Sequence, residues 1–189
     1  MWQNTSGVGK HNYRCGYCGK DVGPDTGYFD TDRLSGATYG MMVICPHCER
    51  PSYFDFRRNR EQTPKPMLGS IVPGITDANV GALHTEARAC TSFGAYTAAV
   101  MICRKILMHI AVEQGAPPNQ SFKSYVEYLD SKGYIPPNGK KWVDKIRDRG
   151  NEANHEIKLM NEADAALLLK FTEMLLRFVY ELPSLLEDA

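Results

Sequence analysis

Cys15-Gly16-Tyr17-Cys18 and Cys45-Pro46-His47-Cys48 decide how the rest of the chain is read. The pairs stand 26 residues apart, and four thiolates at such spacing can close a tetrahedral shell around Zn²⁺, a cation without geometric preference of its own that suits soft sulfur. Two disulfides would use the same cysteines. They need an oxidising compartment, and no charged-then-apolar leader with a cleavage site opens the sequence, so the expectation is a structural Zn²⁺ in a cytoplasmic protein. Gly16 and Gly19 flank Cys18 and Pro46 follows Cys45, as expected of tight turns whose backbone N–H groups approach sulfur. His11 and His47 lie near enough to be ligands, but with four cysteines at hand both are expected to be bystanders.

Working outward, residues 10–60 carry glycine, aromatic residues and three β-prone pieces, 27–31, 38–44 and 52–56. A three-stranded zinc ribbon over 1–60 follows, stabilised by metal where so short a segment buries too little to fold alone. The Pro and Gly punctuation of 61–76 reads as a linker. Beyond it the apolar period becomes helical: Ala95, Ala98, Ala99, Ile102, Cys103, Ile106, Leu107 and Ile110 form one stripe. Leu167, Leu168, Phe171, Met174, Leu175, Phe178, Val179 and Leu182 form another. Further helices are expected over about 77–92, from Ser121, and over about 138–157. The fold class is therefore α+β: a zinc-ribbon β domain, then an all-α bundle of about five helices over 77–189. Cys90 and Cys103 fall in apolar stretches and read as small core residues.

Composition bounds the function. Hydrophobic residues make up 43% and charged residues 23% of the 189, as in ordinary globular domains, and no apolar run is long enough to span a bilayer. Lys+Arg and Asp+Glu balance at 22 each, so any nucleic-acid contact must come from local patches.

Two stretches carry a family resemblance. Phe93-Gly-Ala-Tyr-Thr-Ala-Ala-Val-Met-Ile-Cys-Arg-Lys-Ile-Leu107 and Ile146-Arg-Asp-Arg-Gly-Asn-Glu-Ala-Asn-His155 resemble the domain of unknown function 4145, a family grouped with the helical HEPN superfamily. The resemblance covers about 77–182 and leaves the N-terminal ribbon outside. It implies a homodimer built through the helical domain and, in many superfamily members, a metal-independent ribonuclease site with Arg, four to six residues, then His. Arg149 and His155 satisfy that spacing. Imidazole can move a proton to or from a ribose 2′-OH or leaving oxygen while guanidinium stabilises charge on phosphorus, so the Zn²⁺ would be structural.

The helix wheel sets a competing constellation beside that pair. At about 100° per residue, Trp142, Ile146, Gly150, Ala153 and Ile157 share one stripe, and Arg147, Asn151 and His155 form a ridge opposite. Arg149 joins His155 only if Gly150 bends the helix. In active members a polar residue commonly follows the arginine and Glu often follows the Leu of the second helix, whereas here Gly150 and Met108 stand at those places. His155 could equally serve the helix C-terminus without any chemistry. Arg104 reads as a structural partner across the bundle.

Two basic patches remain. Lys140, Lys141 and Lys145 add to Arg147 and Arg149 along the helix that bears His155. Arg57, Arg58 and Arg60 follow Tyr53, Phe54 and Phe56, an arrangement able to stack bases and neutralise phosphate, or simply a solvated charge run. The resulting expectation is an RNA-associated HEPN-like protein, in one form an endoribonuclease of a prokaryotic defence or toxin system. A non-catalytic nucleic-acid adaptor and a protein-interaction or dimerisation module, with the ribbon docking a protein partner, stay open.

Overall fold

The computed structural model describes residues 2–136 and 159–187. They divide into two compact units that part at Leu68 and Gly69, with Ser92–Gly94 belonging to the first.

The first unit is all β. Its strands are β1 (Ser6–Gly7), β2 (Tyr13–Arg14), β3 (Asp21–Val22), β4 (Thr26–Thr31), β5 (Thr38–Ile44), β6 (Pro51–Asp55) and β7 (Glu61–Thr63). Strands β1, β4, β5, β6 and β7 form one antiparallel sheet in the order β1-β4-β5-β6-β7, and β2 pairs with β3 in a second. The three β-prone pieces are thus the centre of the larger sheet, not the whole of it. Strands of two or three residues such as β1, β2, β3 and β7 have too few side chains to show a period-2 pattern. Glu61–Thr63, read as linker, pairs with β6 from Tyr53↔Thr63 to Asp55↔Glu61.

Alternation along the strands builds the core on one face. Phe29, Met41, Phe54 and Gln62 lie in register across β4 to β7. Met41 and Phe54 are buried with Tyr13, Cys15, Val43 and Cys45 in one cluster, and the Phe54 ring meets Tyr13 edge-on at 5.2 Å and His11 at 4.3 Å. Tyr28, Met42 and Tyr53 form the corresponding row on the other face. Gly40 is required beside that row, because a Cβ there would stand 2.3 Å from the Tyr53 hydroxyl, which donates to Asp30 at 2.8 Å.

The second unit is helical: α1 (Ala78–Ser92), α2 (Tyr96–Glu113), α3 (Phe122–Ser131) and α4 (Glu162–Leu176). Four helices are therefore present among the described residues, not five, and the helix expected over 138–157 falls outside those residues. Helix starts follow their capping chemistry. Asp77 accepts from the N–H groups of Asn79 and Val80 ahead of α1, the Ser121 hydroxyl accepts from Ser124 N–H, and Asn161 with Asp164 forms a capping box on α4. The central helix α2 packs against α3 and α4, burying Ala99, Cys103, Ile106, Leu107 and Ile110 of the expected stripe together with Val100, while Ala95 and Ala98 at its N-terminal end are exposed. Buried Arg104 sets its guanidinium 4.5 Å from the Phe122 ring of α3, and burial pulls its pKa below the ordinary arginine value.

The last stripe departs from its reading. After α4 the backbone passes through a π-helical turn, Arg177–Glu181, before resuming α geometry over Leu182–Glu187. A π turn inserts an extra residue into the helical phase. Phe178 and Leu182 consequently turn out to 44% and 47% exposure while Tyr180 turns in to 7%.

Candidate metal centre

Each cysteine pair sits in a six-residue loop between antiparallel strands, Cys15–Lys20 between β2 and β3 and Cys45–Arg50 between β5 and β6. The two loops make the same bonds. Cys15 N–H donates to Lys20 C=O at 2.9 Å and Cys45 N–H to Arg50 C=O at 3.1 Å; Gly19 N–H returns to Cys15 C=O and Glu49 N–H to Cys45 C=O, both at 2.9 Å. That closure puts the residue after the second cysteine in the left-handed region, φ +67° at Gly19 and +57° at Glu49. Glycine adopts it freely; Glu49 does so at a cost.

All four sulfurs lie within 4.8 Å of one another, with Cys15 Sγ 3.8 Å from Cys48 Sγ and Cys18 Sγ 3.9 Å from Cys45 Sγ. None is in a disulfide. A tetrahedron of sulfurs about 2.3 Å from a central ion has edges of roughly 3.8 Å, so the spacing fits a four-thiolate metal site. The electrostatics agree. Burial, reinforced by the Cys45 and Cys15 thiols alongside, pushes Cys48 up to about 12, and burial with the same crowding raises Cys18. Burial works to raise Cys45 too, but the backbone N–H groups of Cys48 and His47 outweigh it and hold this thiol below its ordinary value. Four thiolates this close repel one another unless a cation offsets their charge. Tyr13 Oη and Ser52 Oγ are buried without a hydrogen-bond partner among the described residues, and Tyr13 lies in the same cluster as Cys15 and Cys45. His11 packs on Phe54, and the ligand-sized cluster among the described residues comprises the four cysteines alone.

The arginine patch is split by the sheet. Phe54 is in the core at 4% exposure, so Tyr53 and Phe54, adjacent in sequence, face opposite ways. Arg57 pairs with Asp55 at 3.1 Å, and Arg58 lies 3.9 Å from both Asp55 and Glu61. What the sequence did not reveal is a set of guanidinium–aromatic pairs on this unit. Arg50 stands 5.3 Å from the Tyr17 ring, Arg57 5.2 Å from Tyr39 and Arg60 5.4 Å from Phe56. Arg60 and Phe56 are four residues apart, but the other two contacts join residues distant in sequence, and only the sheet register brings Arg57 to Tyr39.

In the helical unit, sequence reading missed a buried polar cluster. Glu173 accepts from Ser70 N–H at 2.7 Å and lies 3.6 Å from His84 Nε2. Neither residue stands in a motif; His84 is marked only by occupying the inward stripe of α1 with Val80, Ala87 and Arg88. A groove of about 460 Å³ beside α1 and α2 holds His109 Nε2 3.3 Å from Asp77 Oδ2, with Lys105 and Glu86 on its walls. Arg147, Arg149, Asn151 and His155, with Lys140, Lys141 and Lys145, lie outside the described residues. No described helix is long and apolar enough to cross a membrane.

No curated protein and no solved structure matches the chain. A family model described as a domain of unknown function, DUF4145, matches residues 85–188. That segment is more than half of the 189 residues and contains α2, α3 and α4 entire, so this chain, with a four-cysteine β unit ahead of the matched segment, belongs to the DUF4145 family.

Proposed function

We propose that this chain is a cytoplasmic, RNA-associated protein of the HEPN class, in which Zn²⁺ at Cys15, Cys18, Cys45 and Cys48 folds a recognition ribbon and the helical domain forms a homodimer. The observation that carries the reading is the trio of arginine–aromatic pairs on the ribbon, Arg50–Tyr17, Arg57–Tyr39 and Arg60–Phe56. A guanidinium laid over a ring offers a flat, cationic platform on which an unpaired base can stack while phosphate is neutralised. Arg50 and Arg57 flank β6 at its two ends, roughly 20 Å apart along an extended strand, which suits a single strand several nucleotides long. Arg57 and Arg58 share their charge with Asp55 and Glu61, so Arg50 and Arg60 should dominate the phosphate contact. Lys140, Lys141 and Lys145 supply a second basic segment.

The test is anisotropy of a labelled single-stranded RNA across a salt series, comparing wild type with Arg50→Gln/Arg60→Gln. Loss of two phosphate contacts should flatten the log–log salt slope by roughly 0.7 per contact. An unchanged slope would remove the ribbon from the RNA interface. The spacing of Arg149 and His155 favours a second reading, metal-independent cleavage through the 2′-OH, with Arg147 and Asn151 as the competing partners of His155. It predicts RNA breakdown in magnesium-free buffer by zinc-loaded wild type and none by His155→Ala. Intact RNA with wild type would leave binding as the function.

A further inference from the structure

A cleft of about 550 Å³ opens beside the second cysteine loop and includes Cys45 and Glu49 in its walls. Trp2, Pro24, Asp25 and Pro46 line it as well. The indole is held in place: Trp2 Nε1 donates to Glu49 C=O at 2.8 Å, and the ring lies 6.4 Å from Tyr28 at a 60° tilt. Yet Trp2 remains 42% exposed, so an aromatic surface is fixed but left uncovered. Asp25 and Glu49 have no ion-pair or side-chain hydrogen-bond partner among the described residues, and none of the described residues lining the cleft is cationic. Cys45 lends further negative character, since four thiolates around one Zn²⁺ carry a formal excess of two negative charges.

An oriented indole lining one cleft with two unpaired acidic residues and two prolines disfavours phosphate and acidic chains. It complements a cation with an alkyl stem. We propose that this cleft binds a lysine or arginine side chain presented by a partner protein. The indole face attracts the charged head, Asp25 and Glu49 accept its N–H groups, and Pro24 and Pro46 pack along the methylenes. The ribbon then carries two surfaces of opposite preference, and this one does not depend on the RNA reading, which rests on Arg50 and Arg60.

The experiment uses the full chain loaded with Zn²⁺ and carrying Trp142→Phe, so that Trp2 is the single tryptophan, excited selectively at the red edge of the absorption band where tyrosine does not absorb. It is titrated with the peptide Gly-Ser-Arg-Gly-Arg-Ser-Gly, its lysine counterpart, and a control with glutamine at both cationic positions. Saturable change in Trp2 emission is expected with the arginine or lysine peptide, and none with the glutamine peptide. Asp25→Asn/Glu49→Gln should weaken binding roughly tenfold or more, as expected for loss of two charge-assisted contacts. Trp2→Ala, followed through a labelled peptide, should weaken it by roughly five- to thirtyfold. Zinc content measured on each variant separates loss of contact from loss of fold. Equal binding of the glutamine peptide, wild-type affinity in the Asp25→Asn/Glu49→Gln variant at full zinc content, or no saturation with either cationic peptide would overturn the proposal.

Discussion

Stripping the proposed Zn²⁺ should melt the β unit and leave the helical unit folded. The apolar cluster of the β unit has six buried members, Tyr13, Met41, Val43, Phe54, Cys15 and Cys45, so two of the six are themselves proposed ligands. Removing the ion therefore opens the core as well as the site. Structural Zn²⁺ contributes about 10–16 kcal/mol to small domains of this kind, comparable with or larger than the about 5–15 kcal/mol that separates a whole domain from its unfolded state. Partial loosening is not expected; loss of the sheet is. The assay is amide exchange together with iodoacetamide labelling before and after a zinc chelator. With metal removed, amides of β4, β5 and β6 should lose protection, and Cys15, Cys18, Cys45 and Cys48 should become fully alkylated. Cys103 provides the internal control. It is 1% exposed, burial pushes its thiol up to about 12, and it should stay unmodified while α2 retains protection. Added Zn²⁺ should restore both readouts in the β unit. Protected β5 amides in metal-free protein would refute the reasoning, since the sheet would then stand on its own contacts.

Within the helical unit, Phe171→Ala should lower stability by about 3–5 kcal/mol in denaturant unfolding, because this ring is fully buried on α4; in the β unit, fully exposed Leu34 changed to Ala should stay within about 0.5 kcal/mol of that unit's wild-type stability. Gly69→Ala combines a φ of +71° with a Cβ that would stand 1.9 Å from Glu173 Oε1, so it should cost about 1–3 kcal/mol. Part of that loss should vanish in a Glu173→Ala background, a coupling that a double-mutant cycle reads directly. The Asp77 carboxyl is held below its ordinary value of 3.8, first by Asn79 N–H, then by Val80 N–H and by His109 nearby. Its folded pKa is thus depressed, so its stabilisation is complete above about pH 4 and disappears as pH falls through the folded pKa. Thermal melting of wild type against Asp77→Asn, which keeps the cap but not the charge, should therefore show a gap at pH 6 that closes by about pH 2. A gap that persists there would assign the effect to packing.

How far the sequence reaches can be judged residue by residue. The CxxC pairs were readable because a tetrahedral sulfur site leaves a fixed local spacing, and the structure brings Cys15, Cys18, Cys45 and Cys48 within 4.8 Å. The α2 stripe was readable because one face of a long unbroken helix must be apolar. Phe178 and Leu182 were misjudged because a π turn resets helical phase without any signature in the residues themselves. Glu61–Thr63 was lost among prolines because an edge strand of three residues is defined by its partner, β6, and not by its own composition.

The same distinction explains why the candidate surfaces were harder to see than the candidate metal centre. A metal ligand announces its chemistry by residue type, whereas a recognition surface depends on which neighbours register and loop closure supply. Arg57 and Arg58 look like free cations in the sequence, but the turn after β6 gives both to Asp55. Arg50 sits one residue outside β6 and reads as an ordinary loop charge, yet the first cysteine loop brings Tyr17 beneath it. Trp2 lies 47 residues from Glu49 and meets it only because the second cysteine loop closes with Glu49 in the left-handed region, its carbonyl turned to the indole N–H. The cysteine loops therefore do more than bring four sulfurs together: each positions an aromatic surface with a charge beside it, cationic at Tyr17 and anionic at Trp2. If the β unit folds only with metal bound, zinc occupancy governs both surfaces together, and the proposed RNA binding at Arg50 and the proposed cation binding at Trp2 should be lost at the same chelator concentration.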